Sequence, residues 1–207
     1  MAKQDGPIHL TRLSEEILTV EIDGVTPVIP HRWSEKSLRL MRDKQTGSAV
    51  SARKREPKVP AEEAYDSCYW MKTETADGIK EVGALPASAF KASIVGGARF
   101  FDFVTMTEVK GLIYVEGDGP DQLVPITGEW IMREDTPRNA SGVADLRYRM
   151  MFGLPWSTTL KIHYIPERVD VETILALVDA GGRGGVGDWR PNSPKSQTGS
   201  YGQFRVR

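Results

Sequence analysis

Residues 170–207 set out a helix, a glycine run and a short final strand, and that order limits most sharply what the rest of the chain can fold into. Asp170 can cap a helix in which Val171, Ile174, Leu175 and Val178 recur at i, i+3, i+4 and i+7, the stripe expected to lie against a sheet. Gly181 is expected to stop it. The run Gly181-Gly182-Arg183-Gly184-Gly185-Val186-Gly187-Asp188-Trp189-Arg190 follows, and Tyr201, Phe204 and Val206 then read as a last strand. A loop pinned between a helix and a sheet presents a fixed surface. Glycines let backbone amides approach an anion closely, and Arg183, Arg190, Lys195, Arg205 and Arg207 add positive charge. Gly184, Gly185 and Gly187 are therefore expected to form a cradle for a phosphate backbone.

At 207 residues the chain can bury one sizeable core, so one domain over 1–207 is expected, with 31–70 as a basic, finger-like insertion. Net charge is only −1, but it is unevenly placed. Residues 31–58 hold nine Lys or Arg against three acids, and residues 181–207 hold five against one. Such asymmetry fits a nucleic-acid track on one face, and it equally fits a pair of solvated basic loops. The single cysteine, Cys68, excludes an intrachain disulfide. The polar start lacks a secretory pattern and no apolar run approaches the roughly 18 residues of a membrane span, so a soluble, cytoplasmic protein is expected.

Along the chain, residues 17–22 read as a strand that continues past Gly24 into 25–29 and ends at Pro30. Residues 34–44 are expected to hold a short helix with Leu38 and Met41 on one side. Tyr65, Tyr69 and Trp70 read as a strand or a loop anchor. Residues 85–99 form the next strong helix pattern: Pro86 suits a first helical position, and Phe90, Ile94 and Ala98 recur every fourth residue. Lys91 and Arg99 fall on its other side. Strands are then expected at 100–106, 112–115, 124–132, 146–152 and 158–165. Strand, excursion, helix, strands, helix, glycine loop and strand together match an α+β fold. Its expected centre is a ferredoxin-like (RRM-like) βαββαβ core with insertions and a C-terminal glycine-rich loop.

No pattern for catalysis or metal binding emerges. Gly182, Gly184 and Gly187 spell a formal G-x-G-x-x-G, but it follows a helix, and too little chain remains for a dinucleotide fold. Ser88 and Lys91 match S-x-x-K without the partner motifs that serine acylases need. His9, His31 and His163 are widely separated and have no cysteine nearby; His163 reads as an ordinary sheet residue. No cofactor is expected. Trp189, between Asp188 and Arg190, reads either as a base-stacking ring or as a packing anchor.

Two stretches resemble the RAMP superfamily, the repeat-associated proteins that form the guide-RNA-binding backbone of CRISPR effector complexes. One is the proline-led helix Leu85-Pro86-Ala87-Ser88-Ala89-Phe90-Lys91-Ala92. The other is Gly184-Gly185-Val186-Gly187 closing on Ser200-Tyr201-Gly202-Gln203-Phe204, similar to that family's glycine loop and its Gly-Tyr-Gly-like strand. Together they cover roughly a quarter of the chain. The resemblance implies a ferredoxin-like core whose helix and loop grip a single strand, with copies stacked into a helical filament. It implies that Lys91 contacts phosphate, that Gly184, Gly185 and Gly187 allow close approach, and that Arg53, Lys54 and Arg55 belong to a clasping finger. The acidic target-cleaving residue of some members has no match.

The expected function is thus a non-catalytic, oligomerising subunit that coats single-stranded nucleic acid, RNA favoured, in company with other effector subunits. The expected binding residues are Arg53, Lys54, Arg55, Lys91, Arg99, Arg183, Gly184, Gly185, Gly187, Trp189 and Arg190. Two alternatives stay open: a phage or mobile-element protein that binds or anneals single-stranded DNA, and a structural or protein-interaction subunit whose basic segment docks on an acidic partner.

Overall fold

A computed structural model describes residues 12–47, 57–75, 78–137, 142–194 and 198–207. The chain opens with β1 (Glu16–Gly24), the exposed helix α1 (Glu35–Gln45) and the short helix α2 (Pro60–Asp66). The hairpin β2 (Tyr69–Thr75) and β3 (Gly78–Pro86) leads into α3 (Ala87–Gly97). After a single 3₁₀ turn come α4 (Met106–Leu112), β4 (Ile113–Glu116), β5 (Leu123–Pro125), β6 (Trp130–Asp135), β7 (Arg147–Phe152) and β8 (Ser157–Tyr164). The chain ends with α5 (Val171–Gly184) and β9 (Phe204–Val206).

The main sheet is antiparallel in the order β4-β8-β1-β9. Its longest pairing joins β1 to β8 from Glu16↔Tyr164 to Asp23↔Ser157. Both strands alternate, so Val20, Ile22, Leu160 and Ile162 enter the core while Thr159 and Lys161 face outward. Phe90 and Ile94 of α3 and Ile174, Leu177 and Val178 of α5 join the same core, and the Phe90 ring lies 6.1 Å from that of Phe204 on β9. Two smaller sheets, β2-β3-β5 and β6-β7, complete a mixed α+β architecture of antiparallel sheets.

α3 and α5 touch backbone to backbone. Ser93 Oγ donates to the Gly181 carbonyl at 2.6 Å. A Cβ on Gly97 would stand 2.6 Å from the Leu177 carbonyl oxygen, and one on Gly181 would stand 2.7 Å from that of Ser93. At the next position a Cβ on Gly182 would reach 2.0 Å from the Phe204 carbonyl oxygen. These glycines are demanded by close approach.

α5 therefore runs through Gly181, where the sequence predicts its end, and stops at Gly185, whose φ of 71° breaks the helix. The strand predicted over 100–106 is instead the end of a 3₁₀ turn, a link that turns at Asp102 and Phe103, and the start of α4. The Thr105–Glu108 capping box favours helix there, each side chain accepting from the other's backbone amide. The strand predicted over 124–132 divides into β5 and β6, with Thr127 bridging to Ser157 between them. The β2–β3 hairpin is absent from the sequence reading, although Asp77-Gly78 is a hairpin signal.

The 31–70 segment is rooted at its base, where the Arg32 amide donates to the Ser67 carbonyl at 2.8 Å. Within it α1 buries no residue, whereas α2 buries Ala64 and packs on β7. Arg53, Lys54 and Arg55 lie outside the described residues.

The helix crossing predicts that Gly181→Val lowers stability by about 3 kcal/mol or more, since the new atoms meet rigid backbone on α3. Urea unfolding measures this directly. A loss below about 0.5 kcal/mol would mean the crossing is looser than described.

Candidate nucleic-acid interface

The α3–α5 crossing brings the end of α3 beside the loop that follows α5. Arg99, just past α3, donates from Nη1 to Asn192 Oδ1 at 2.9 Å, across 93 residues of sequence. Asn192 is itself fixed, its amide donating to the Gly184 carbonyl at 3.0 Å. A shallow groove of about 170 Å³ lies here, edged by Arg99, Phe100, Arg183 and Asn192 over a floor that includes Gly96 and Gly181. Arg183 is exposed and without an ion-pair partner among the described residues. Lys91 stands eight residues earlier on α3, about 12 Å along the helix axis. The basic edge of the α3 segment and the glycine run after α5 thus meet on one surface through Arg99 and Arg183. Asn192, Phe100 and Phe101 also line this surface, and no sequence motif had marked them.

The glycine loop owes its shape chiefly to the chain's own packing. Gly185 and Gly187 have φ of 71° and 77°, and a Cβ on Gly187 would lie 2.5 Å from the Ile29 carbonyl oxygen. The amides of Gly185, Val186 and Asp188 donate to the carbonyls of Gly181, Gly202 and Ile29. Arg190 turns back onto the loop, its Nη1 donating to the Gly187 carbonyl at 2.8 Å. Gly184 is the more open position, the three atoms nearest an added Cβ all belonging to the Asn192 side chain at 3.3 Å or more. The amides of Gly185, Val186 and Asp188 are thus already paired within the chain.

Trp189 is held inside a polar cluster. The guanidinium carbons of Arg133 and Arg149, paired across β6 and β7, lie 5.1 and 4.9 Å from its ring centroid. Arg133 also donates to Asp135 Oδ1 at 2.7 Å and to Tyr201 Oη at 2.6 Å. Arg149 is buried, with its Nη1 2.9 Å from Asp188 Oδ2 and 4.0 Å from Asp135 Oδ2. Burial drives the Arg149 guanidinium below its ordinary value against the pull of Asp188 and Asp135. Burial would raise the Asp188 carboxyl, but hydrogen bonding to His31 and the charge of Arg149 outweigh it and hold the group below its usual range. The cluster ties the loop to β6–β7 and to His31, so the packing-anchor reading of Trp189 describes its surroundings.

The outward face of the main sheet has a different character. His163 sits between Glu15, at 2.9 Å from Nδ1, and Glu116, at 2.8 Å from Nε2, with the Tyr114 ring edge-on. Lys161 pairs with Glu116, and Arg207 pairs with Glu21 and Asp23. Lys161, His163 and Arg207 are thus matched by carboxylates, which leaves these three little to offer a phosphate backbone. The hydrogen bonds to Glu116 and Glu15 raise the His163 pKa above its ordinary 6.5.

No family model matches the chain, and no curated protein matches it in sequence. Among solved structures it is similar to a chain of the Type III-B Cmr-beta complex bound to cognate target RNA, at 14% identity and a TM-score of 0.50. That alignment covers 93% of this chain and 59% of the other, so this chain spans about three-fifths of its neighbour's length. An alignment to Cmr6 from Pyrococcus furiosus covers 95% of this chain and 100% of that one at 10% identity, but its TM-score of 0.42 is too low to carry weight. At such identities the first likeness establishes the fold alone.

Two outcomes follow from these clusters. Asp188→Ala leaves Arg149 buried with its nearer carboxylate gone and should cost roughly 3 kcal/mol in urea unfolding, whereas Arg183→Ala should change stability by less than about 0.5 kcal/mol. Equal effects would contradict the division between internal cluster and open rim. For His163 the folded pKa is raised, so its contribution is complete below about pH 6.5 and is lost as pH rises through the folded value. The melting temperature of the wild type relative to His163→Gln should therefore fall as pH rises above about 6.5. A flat difference would show that the carboxylates do not hold the imidazolium.

Proposed function

We propose that this protein is a non-catalytic, RAMP-type subunit that binds single-stranded nucleic acid, with guide RNA the favoured ligand. In this reading copies stack side by side along the strand within a CRISPR-type ribonucleoprotein. The observation that carries the proposal is the meeting of Arg99 and Arg183 at the α3–α5 groove, where two unpaired-strand contacts need no base sequence. Lys91 extends this cationic line along α3.

The strand order supports the same reading. With α3 between β1 and β4 in sequence and α5 between β8 and β9, the order β4-β8-β1-β9 accords with a βαββαβ ferredoxin-like core that carries the remaining hairpins as insertions. A neighbour of shared fold belongs to a complex bound to target RNA, which accords with an RNA ligand here. RRM-like proteins commonly stack bases on the sheet. Here the charge-matched sheet face makes the helix side the better track. We assign Arg53, Lys54 and Arg55 to a finger that clasps the strand or the next copy; α1, which buries nothing, is the part of 31–70 that stands clear of the core.

Replacing Lys91, Arg99 and Arg183 together by Ala should weaken binding to single-stranded RNA across sequences. The slope of log affinity against log salt should fall by about 2, near 0.7 for each lost phosphate contact. Fluorescence anisotropy over a salt series measures it. A wild type without affinity for single strands, or a variant with an unchanged slope, would overturn the proposal.

A further inference from the structure

Directly after α3 the chain leaves Phe100 and Phe101 at the surface, 59% and 41% exposed. Large apolar rings held in water beside cations are informative, because scattered apolar exposure does not place them together with charge. Phe100 and Arg183 both border the groove beside Arg99 and also a second hollow of about 380 Å³. Phe101 and Asp179 edge that second hollow, and Ala176 and Ala180 contribute to its lining. Its small side chains leave room for a flat group against the rings.

Charge narrows the occupant further. The two arginines attract phosphates to the edges, while Asp179, whose Oδ1 accepts the Val206 amide at 3.3 Å, repels a phosphate from the second hollow itself. What fits beside aromatic rings, next to the Arg183 edge and against a carboxylate, is the base of a nucleotide whose own phosphates lie outside. We infer that Phe100 and Phe101 form a stacking platform for an unpaired nucleobase of the bound strand, with Arg99 and Arg183 holding the flanking phosphates. This rests on the reading of the protein as a single-strand binder and adds to it a base subsite. Stacking of this kind tolerates any base, since each has a π face, and so suits a protein that coats strands of differing sequence.

The test compares wild type, the double variant Phe100→Ala/Phe101→Ala and the double variant Phe100→Tyr/Phe101→Tyr. Each is titrated with a mixed-sequence single-stranded RNA and with an abasic ribose–phosphate oligomer of the same length. Both rings are substantially exposed, so all three proteins should melt together. The expected result for the Ala variant is a loss of roughly 5- to 100-fold on RNA at an unchanged salt slope. It should bind the abasic oligomer like wild type, and the Tyr variant should retain RNA affinity. Equal losses on both oligomers would overturn the platform, as would full RNA affinity in the Ala variant. Full RNA affinity combined with loss of a co-purifying protein would likewise overturn it, making the rings a protein-docking patch. A wild type that binds neither oligomer defeats the broader single-strand reading instead, which separates the two failures.

Discussion

The close crossing of α3 and α5 is the constraint on which the rest of this structure depends. Ser93, Gly97 and Gly181 remove the side chains that would hold the two helices apart, and the Ser93 hydroxyl satisfies a helix carbonyl at the contact. Only at that separation can α5 continue to Gly184, bring Asn192 over Gly96 and set Arg99 within reach of it. A bulkier crossing would separate the two cationic segments. The same glycines that look like loop residues in sequence thus act first as packing residues, and the surface they create is a consequence of how closely two backbones lie.

Around that crossing the charged groups divide into two populations. Arg133, Arg149, Asp135 and Asp188 are turned inward around Trp189 and Tyr201, where they fix the loop's position at the cost of burying charge. Arg99 and Arg183 remain at the rim with aromatic neighbours. The proposed binding needs both: a rim whose cations can exchange water for phosphate, and an interior that does not shift when they do. On the outward sheet face His163 and Arg207 are already matched by carboxylates.

Much of this was legible where local periodicity and burial agree. Asp170 and the stripe from Val171 to Val178 announced α5, and Phe90, Ile94 and Ala98 announced the buried side of α3. Legibility failed where one residue type serves two physical ends. Gly181 reads as a helix stop but is a close contact, and residues 100–106 read as strand although the Thr105–Glu108 box starts a helix within them. The Arg99–Asn192 bond and the enclosure of Trp189 by two arginines join segments far apart in sequence, and no local pattern encodes such pairings. The expected residues Lys91, Arg99 and Arg183 were nameable from charge alone, but the convergence of Arg99 and Arg183 with Phe100 and Asn192 was not.

The central claim is that a single strand lies across the helix side, over the α3–α5 groove, and not on the open sheet. Photo-crosslinking of single-stranded RNA carrying a photoreactive base, followed by mass-spectrometric mapping of the attached peptides, tests this most directly. The account predicts attachment within residues 98–106 and 183–192. Attachment confined to β1 and β8, around His163 and Lys161, would contradict it.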